Sequence, residues 1–156
     1  MEDWPINVFV LIRILLGCLF IVSGLEKLLS PYQNFLYVIQ SYEVLIKPLE
    51  EVVARVLPWV EFFCGVFLFL GLWLRWSLRV LLVLIASFIT IVSQAILRKL
   101  PISECGCFGQ LFSLPLPTVV LMDSMLGVLV ATMLARIQKT SALSCDQFFL
   151  KQEKRS

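Results

Sequence analysis

The sequence predicts an all-α fold: a polytopic membrane four-helix bundle with a short interfacial helix between helices 1 and 2. Three observations predict it. First, 60% of the 156 residues are hydrophobic and only 15% are charged, with a mean hydropathy of +0.93. Soluble domains sit near half apolar and a quarter charged, and one of this size cannot hide so much apolar surface. Lipid must therefore solvate much of the chain. Second, four apolar runs reach the ~20 residues that a hydrocarbon core of ~30 Å requires. Third, backbone groups in lipid must be satisfied within the chain, which makes these spans helices rather than strands.

The first span covers about residues 8–29. It reads as a retained helix, because Met1-Glu2-Asp3 supplies no basic leader and Arg13 interrupts the apolar run. From Ser30 to Lys47, the residues Phe35, Leu36, Val38, Ile39 and Tyr42 fall near helical spacing. Tyr32, Tyr37 and Tyr42 suit a headgroup region, so this segment is the interfacial helix. The second span covers about 49–73 and contains Pro58. It is predicted as one long helix kinked at that proline; the alternative starts the helix at Leu57-Pro58-Trp59. Glu50, Glu51 and Arg55 suit an interfacial first section. The third and fourth spans cover about 76–97 and 117–137. No repeat or linker divides the chain. Residues 1–137 thus form one transmembrane domain, followed by a polar C-terminal tail, 138–156, that holds a lone Cys145. Gly17, Gly24, Gly65 and Gly71 are expected where helices approach closely. Cys18 and Cys64 are expected to pack as small hydrophobes.

Composition removes several kinds of chemistry. There is no histidine, which excludes a Ser-His-Asp triad, a Cys-His pair, a bis-His haem site and any zinc site that uses histidine. The net charge is only +2, so no nucleic-acid partner is expected.

One motif carries chemistry: Cys105-Gly106-Cys107-Phe108-Gly109, in the polar loop between spans 3 and 4. A Cys105–Cys107 disulfide would close a very small ring, and Gly106 lets the intervening backbone bend. Strained or exposed disulfides are labile, which suits exchange rather than structure. Phe108 and Gly109 are expected to cap the turn and support it. The competing readings are a structural disulfide and a metal site. A metal would need two further ligands, and none is expected.

Four spans put both termini on one side. With the termini inside, Arg75, Arg79, Arg136, Lys139, Lys151, Lys154 and Arg155 are cytoplasmic, while Lys27, Lys47, Arg55, Arg98 and Lys99 are outside. The positive-inside bias favours this orientation. It also puts Cys105 and Cys107 in the oxidising compartment, where disulfides persist.

Ionisable residues inside spans are costly and point to function. Arg13, Lys27, Glu61 and Asp123 are the four here. Lys27, Glu61 and Asp123 are expected to cluster beneath the cysteine loop, Lys27 stabilising a thiolate and Glu61 or Asp123 moving the proton. The competing reading is a structural network, with Lys27 paired to one carboxylate and Arg13 to the other.

Read in order, several segments resemble the MauE-like branch of the MauE/DoxX family of redox-associated membrane proteins. They are Arg13-Ile14-Leu15-Leu16-Gly17, Phe20 to Leu28, Phe35, Tyr42, Leu57-Pro58-Trp59-Val60-Glu61, Gly65, Leu70-Gly71 and Cys105-Gly106-Cys107-Phe108-Gly109. The resemblance implies a four-helix membrane bundle in a bacterial inner membrane. It also implies an extracytoplasmic thioredoxin-like or other disulfide-containing partner that exchanges electrons with Cys105 and Cys107. Glu104 stands where the family often has Asp, and Met122 where an Arg often precedes the polar spot of the fourth helix. No cofactor is evident; a quinone is a candidate electron sink only by analogy with quinone-linked four-helix oxidoreductases. The rival functions are a non-enzymatic subunit or scaffold of a DoxX-like redox complex, and a transporter using the charged cluster.

Overall fold

The computed structural model describes residues 6–98 and 116–140. Among these residues six helices follow in order: α1 (Ile6–Leu29), α2 (Tyr32–Ser41), α3 (Lys47–Leu70), α4 (Leu74–Leu97), α5 (Leu116–Ala135) and α6 (Ile137–Thr140). No strand occurs among the described residues. Helices α1, α3, α4 and α5 are each long and apolar enough to cross a membrane. The all-α polytopic bundle is as predicted, with α2 between the first two spans.

The α1/α3 pair is built on glycine. A Cβ placed on Gly17 would lie 2.8 Å from the backbone nitrogen of Phe69; one on Gly24 would lie 2.7 Å from that of Phe62; one on Gly65 would lie 2.7 Å from that of Ile21. Any larger residue would push the two backbones apart. In lipid, where apolar surfaces gain nothing by hiding from the solvent, such close approach supplies the dispersion contact that holds helices together. These three glycines therefore do what the sequence led one to expect.

Gly71 does something else. It adopts φ 71° and ends α3, its N–H donating to the Leu68 carbonyl at 3.3 Å while the Leu72 N–H donates to the Phe67 carbonyl at 2.9 Å. A left-handed C-terminal residue of this kind suits glycine because no Cβ clashes. The span therefore ends at Leu70 rather than near Trp73, and α4 restarts at Leu74. So short a connection makes α3 and α4 antiparallel neighbours.

Helix α3 runs unbroken through the buried Pro58. The antiparallel register sets Gly24 level with Phe62. Counting five residues along each helix, Leu29 is level with Leu57, so the part of α3 before Leu57 projects past the end of α1. Helix α2 fills the space beside that overhang: Phe35 and Val38 share a small apolar cavity with Val53 and Leu57, and the Arg55 guanidinium lies 5.1 Å from the Tyr32 ring centre.

The main core joins α1, α3, α4 and α5 through Leu16, Phe20, Cys64, Leu68, Leu78, Leu81, Ile85 and Val130. A second cluster, at the end where α1 finishes, packs Tyr42 against Val92, Ala95 and Val119. Tyr42 was expected at the headgroups; it is buried instead. Cys64 packs in the core, but Cys18 does not. It is exposed in line with Leu11, Leu15, Val22, Leu25 and Leu29, the lipid-facing stripe of α1.

Candidate functional site

Lys27, near the end of α1, and Glu61, in the middle of α3, form a buried ion pair. The Lys27 Nζ lies 2.6 Å from Glu61 Oε2, and the two residues are 4% and 2% exposed. Helix geometry explains why they meet. Helical side chains lean toward the N-terminus of their own helix. In an antiparallel pair Lys27 therefore leans back into the bundle while Glu61 leans outward, and the two close the offset between their Cα positions. Gly24, one turn before Lys27, brings the backbones close enough for this.

Ser23 completes the contact. Lys27 Nζ donates to Ser23 Oγ at 2.9 Å, and that hydroxyl donates to Glu61 Oε2 at 3.4 Å. The ammonium also stands 5.6 Å from the centre of the Phe35 ring, supplied by α2, a distance at which the ring face stabilises a cation. Residues four apart share a helix face, so the spacing of Ser23 and Lys27 could have identified the serine from the sequence.

Asp123 enters from α5, two turns in from its start. It is 6% exposed, and its Oδ2 has no hydrogen-bond partner among the described residues. The charges of Lys27 and Glu61 both act on it. Tyr42 approaches from the C-terminal end of α2, which it caps. Burial, with the negative charge of Asp123, pushes its phenol up to about 12, so it stays a neutral hydrogen-bonding group at any physiological pH. Tyr42 was read from the sequence only as a headgroup residue. Its seven-residue spacing from Phe35 places both on one face of α2, which was the available signal.

The structure therefore brings Lys27, Glu61 and Asp123 to one region. It separates Arg13 from them. Arg13 lies about 21 Å from Lys27 along α1 at 1.5 Å per residue. Its Nη1 donates to the Thr140 carbonyl at 3.0 Å, and the residue is 2% exposed. A network with Arg13 paired to the second carboxylate of this cluster is thus corrected: the guanidinium is too far away and holds α6 instead. Thr140 Oγ1 in turn donates to the Met133 carbonyl at 3.0 Å, closing α6 against α5.

Cys105, Gly106, Cys107, Phe108 and Gly109 lie outside the described residues. They belong to the segment joining α4 to α5, and both flanking helix ends lie at the Lys27 end of the bundle, where Tyr42 contacts Val92, Ala95 and Val119. Among the described residues no three Cys, Asp or Glu side chains converge as metal ligands would.

Comparison with curated proteins and with solved structures finds no match. The model of the family described as methylamine utilisation protein MauE matches residues 6–136, from the start of α1 to just past α5, and the chain therefore belongs to the MauE family of integral membrane proteins.

Proposed function

We propose that this protein is a thiol–disulfide redox protein of the bacterial inner membrane, with both termini cytoplasmic. It exchanges electrons through Cys105 and Cys107 with an extracytoplasmic thioredoxin-like partner and so supports disulfide formation or maturation of exported proteins. The observation that carries this reading is the buried Lys27–Glu61 pair, with Asp123 in electrostatic reach, at the end of the bundle where α4 finishes and α5 begins. Burying an ammonium with two carboxylates between apolar spans is costly even when they are paired, so such groups point to a functional site. The family's description, methylamine utilisation, agrees with service to an exported redox enzyme.

The exchange balances as follows. A thiolate of the Cys105/Cys107 pair attacks the partner's disulfide; one partner sulfur leaves as a thiolate and takes a proton. The second cysteine, deprotonated by the Glu61/Asp123 carboxylates, attacks the mixed disulfide and releases the partner's other sulfur. The products are a Cys105–Cys107 disulfide and a partner dithiol, with two electrons passed to the partner; the reverse order oxidises the partner. Lys27 acts by favouring the thiolate.

Two experiments test this. In the Cys107→Ser variant, Cys105 is expected to hold a partner as a mixed disulfide that mass spectrometry identifies; the absence of any trapped protein in both single serine variants would overturn the exchange. In Lys27→Met, the pH profile of thiol alkylation is expected to move to higher pH; an unmoved profile would remove Lys27 from the chemistry. A second reading, a non-enzymatic membrane subunit of a redox complex, draws on the mutual satisfaction of Lys27, Glu61 and Ser23. It requires that the Cys105→Ser/Cys107→Ser double variant keep full function.

A further inference from the structure

The two carboxylates of the site are held in unlike ways. Glu61 Oε2 accepts from Lys27 Nζ at 2.6 Å and from Ser23 Oγ at 3.4 Å. Asp123 is also buried, yet its Oδ2 accepts from no donor among the described residues. Its neighbour Ser124 turns its hydroxyl elsewhere, donating to the Val120 carbonyl at 2.6 Å. Asp123 lies seven residues from the start of α5, about 10 Å at 1.5 Å per residue, so this oxygen is well inside the span.

Every neighbouring element contributes to its surroundings. Lys27 from α1 and Glu61 from α3 are the charged groups that act on Asp123 among the described residues. Tyr42, at the C-terminal end of α2, is a neutral phenol that packs on Val119, one turn before Asp123 on α5. Helix α4 adds Val92 and Ala95, which do not titrate.

A proton arriving here has two seats with unequal consequences. On Glu61 it would leave the Lys27 ammonium buried against a neutral group, the costly way to break a buried ion pair. On Asp123 it would leave that pair intact. It would also turn a buried oxygen that lacks a donor, itself costly as an anion, into a neutral hydroxyl. Connectivity favours the same seat, because α5 is entered directly from the segment that carries Cys105 and Cys107.

We infer that Asp123 alone is the proton acceptor of this site, and that Glu61 is a positioning residue that holds the Lys27 ammonium. The seat of the proton follows from the geometry; its use in exchange rests on the redox reading above. In that exchange the S–H bond of the second cysteine breaks and its electron pair stays on sulfur for the attack. The proton forms an O–H bond on Asp123 Oδ2. In the reverse direction Asp123 returns this proton to the departing thiolate.

Infrared difference spectroscopy of the full-length protein in detergent tests the seat, on titration from about pH 9 to about pH 4, through the carboxylate range. An acid without a hydrogen-bond partner stretches its C=O at higher wavenumber than hydrated acids do, which separates it from surface carboxyls. This band is expected to shift on isotopic labelling of the aspartate carboxyl carbons, to ignore the same label in glutamate, and to vanish in Asp123→Asn. A band that follows the glutamate label, a band that survives in Asp123→Asn, or no such band in the unaltered protein would overturn the assignment. The labels leave the sequence unchanged, so this result does not depend on a variant that folds. The use of the proton is read from oxidation of the dithiol by oxidised glutathione. Asp123→Asn is expected to slow it about 100-fold, within the range of general base catalysis, and to remove the carboxylate limb of its pH profile; Asp123→Glu should restore both. An unchanged rate and profile in Asp123→Asn would overturn that use. Failure of the redox reading looks different: the serine variants trap no partner, while the infrared band stays on Asp123.

Discussion

At the Lys27 end an ammonium is buried 2.6 Å from a carboxylate; at the Arg13 end a guanidinium is buried 3.0 Å from a backbone carbonyl. Both place a cation inside the bundle, yet they differ in what they can do. An arginine stays protonated in proteins, and a carbonyl does not titrate. The Arg13–Thr140 contact can hold α6 in place and can do no proton chemistry. Lysine and carboxylates exchange protons, and two of the latter lie near one of the former. A buried charge therefore signals function only when its partner can also change charge.

The comparison can be broken most forcefully at Glu61. Glu61→Leu leaves the Lys27 ammonium buried with its salt-bridge partner gone and is expected to destabilise the protein by ~3–5 kcal/mol. Adding Lys27→Met to it should restore most of that loss, read as the interaction energy of a double-mutant cycle from thermal unfolding in detergent. Strict additivity would show that the pair does not interact.

Arg13→Gln is expected to cost about 2 kcal/mol, the range for a hydrogen bond from a charged donor. The loss should be the same at pH 6 and pH 9, because neither partner titrates there. A loss that varies across that window would mean that the two ends are more alike than their geometry says.

Gly65→Ala tests the scaffold that the Lys27 end depends on. Its added methyl would stand 2.7 Å from the backbone of Ile21, and overpacking of this kind costs about 1–3 kcal/mol. The same change at Gly127, where the nearest atom would be 3.4 Å away on the Ile85 side chain, should be close to neutral.

The smallest effect is expected at Tyr42. Its phenol ionises near 12 in the folded protein and near 10 when free. The folded state thus holds the proton more tightly, and this contribution is fully present below pH 10 and is lost as pH rises toward 12. Tyr42→Phe should flatten the alkaline fall in melting temperature over that window and leave neutral stability almost unchanged. An unaltered alkaline slope would mean that Tyr42 does not feel Asp123 and the surrounding burial.

The spans were legible in the sequence because hydropathy over ~20 residues is a direct reading of solvent. The suspicion about Lys27, Glu61 and Asp123 was legible for the same reason: each interrupts an apolar run. Which charge meets which was not. Lys27 and Glu61 are brought together by the register of α1 on α3, and that register is set by which glycine meets which backbone, a pairing that no single helix encodes. Gly71 shows the same limit. Gly65 and Gly71 look alike in the sequence, yet one meets a neighbouring backbone and the other ends a helix. Tyr42 was misread because tyrosine is at home among headgroups, and nothing local showed that α2 would fold back over the overhang of α3.

The offset between α1 and α3 gives the salt bridge one more role. Two greasy cylinders in oil can slide along each other with little penalty, since every position exposes and covers similar surface. Smooth glycine seams make such sliding easier still. A single oppositely charged couple allows only one setting, because any shift strands both charges in hydrocarbon. Lys27 and Glu61 thus act as an index pin, and a one-residue insertion in α3 between Glu61 and Gly65 would force a choice between the pin and the seam.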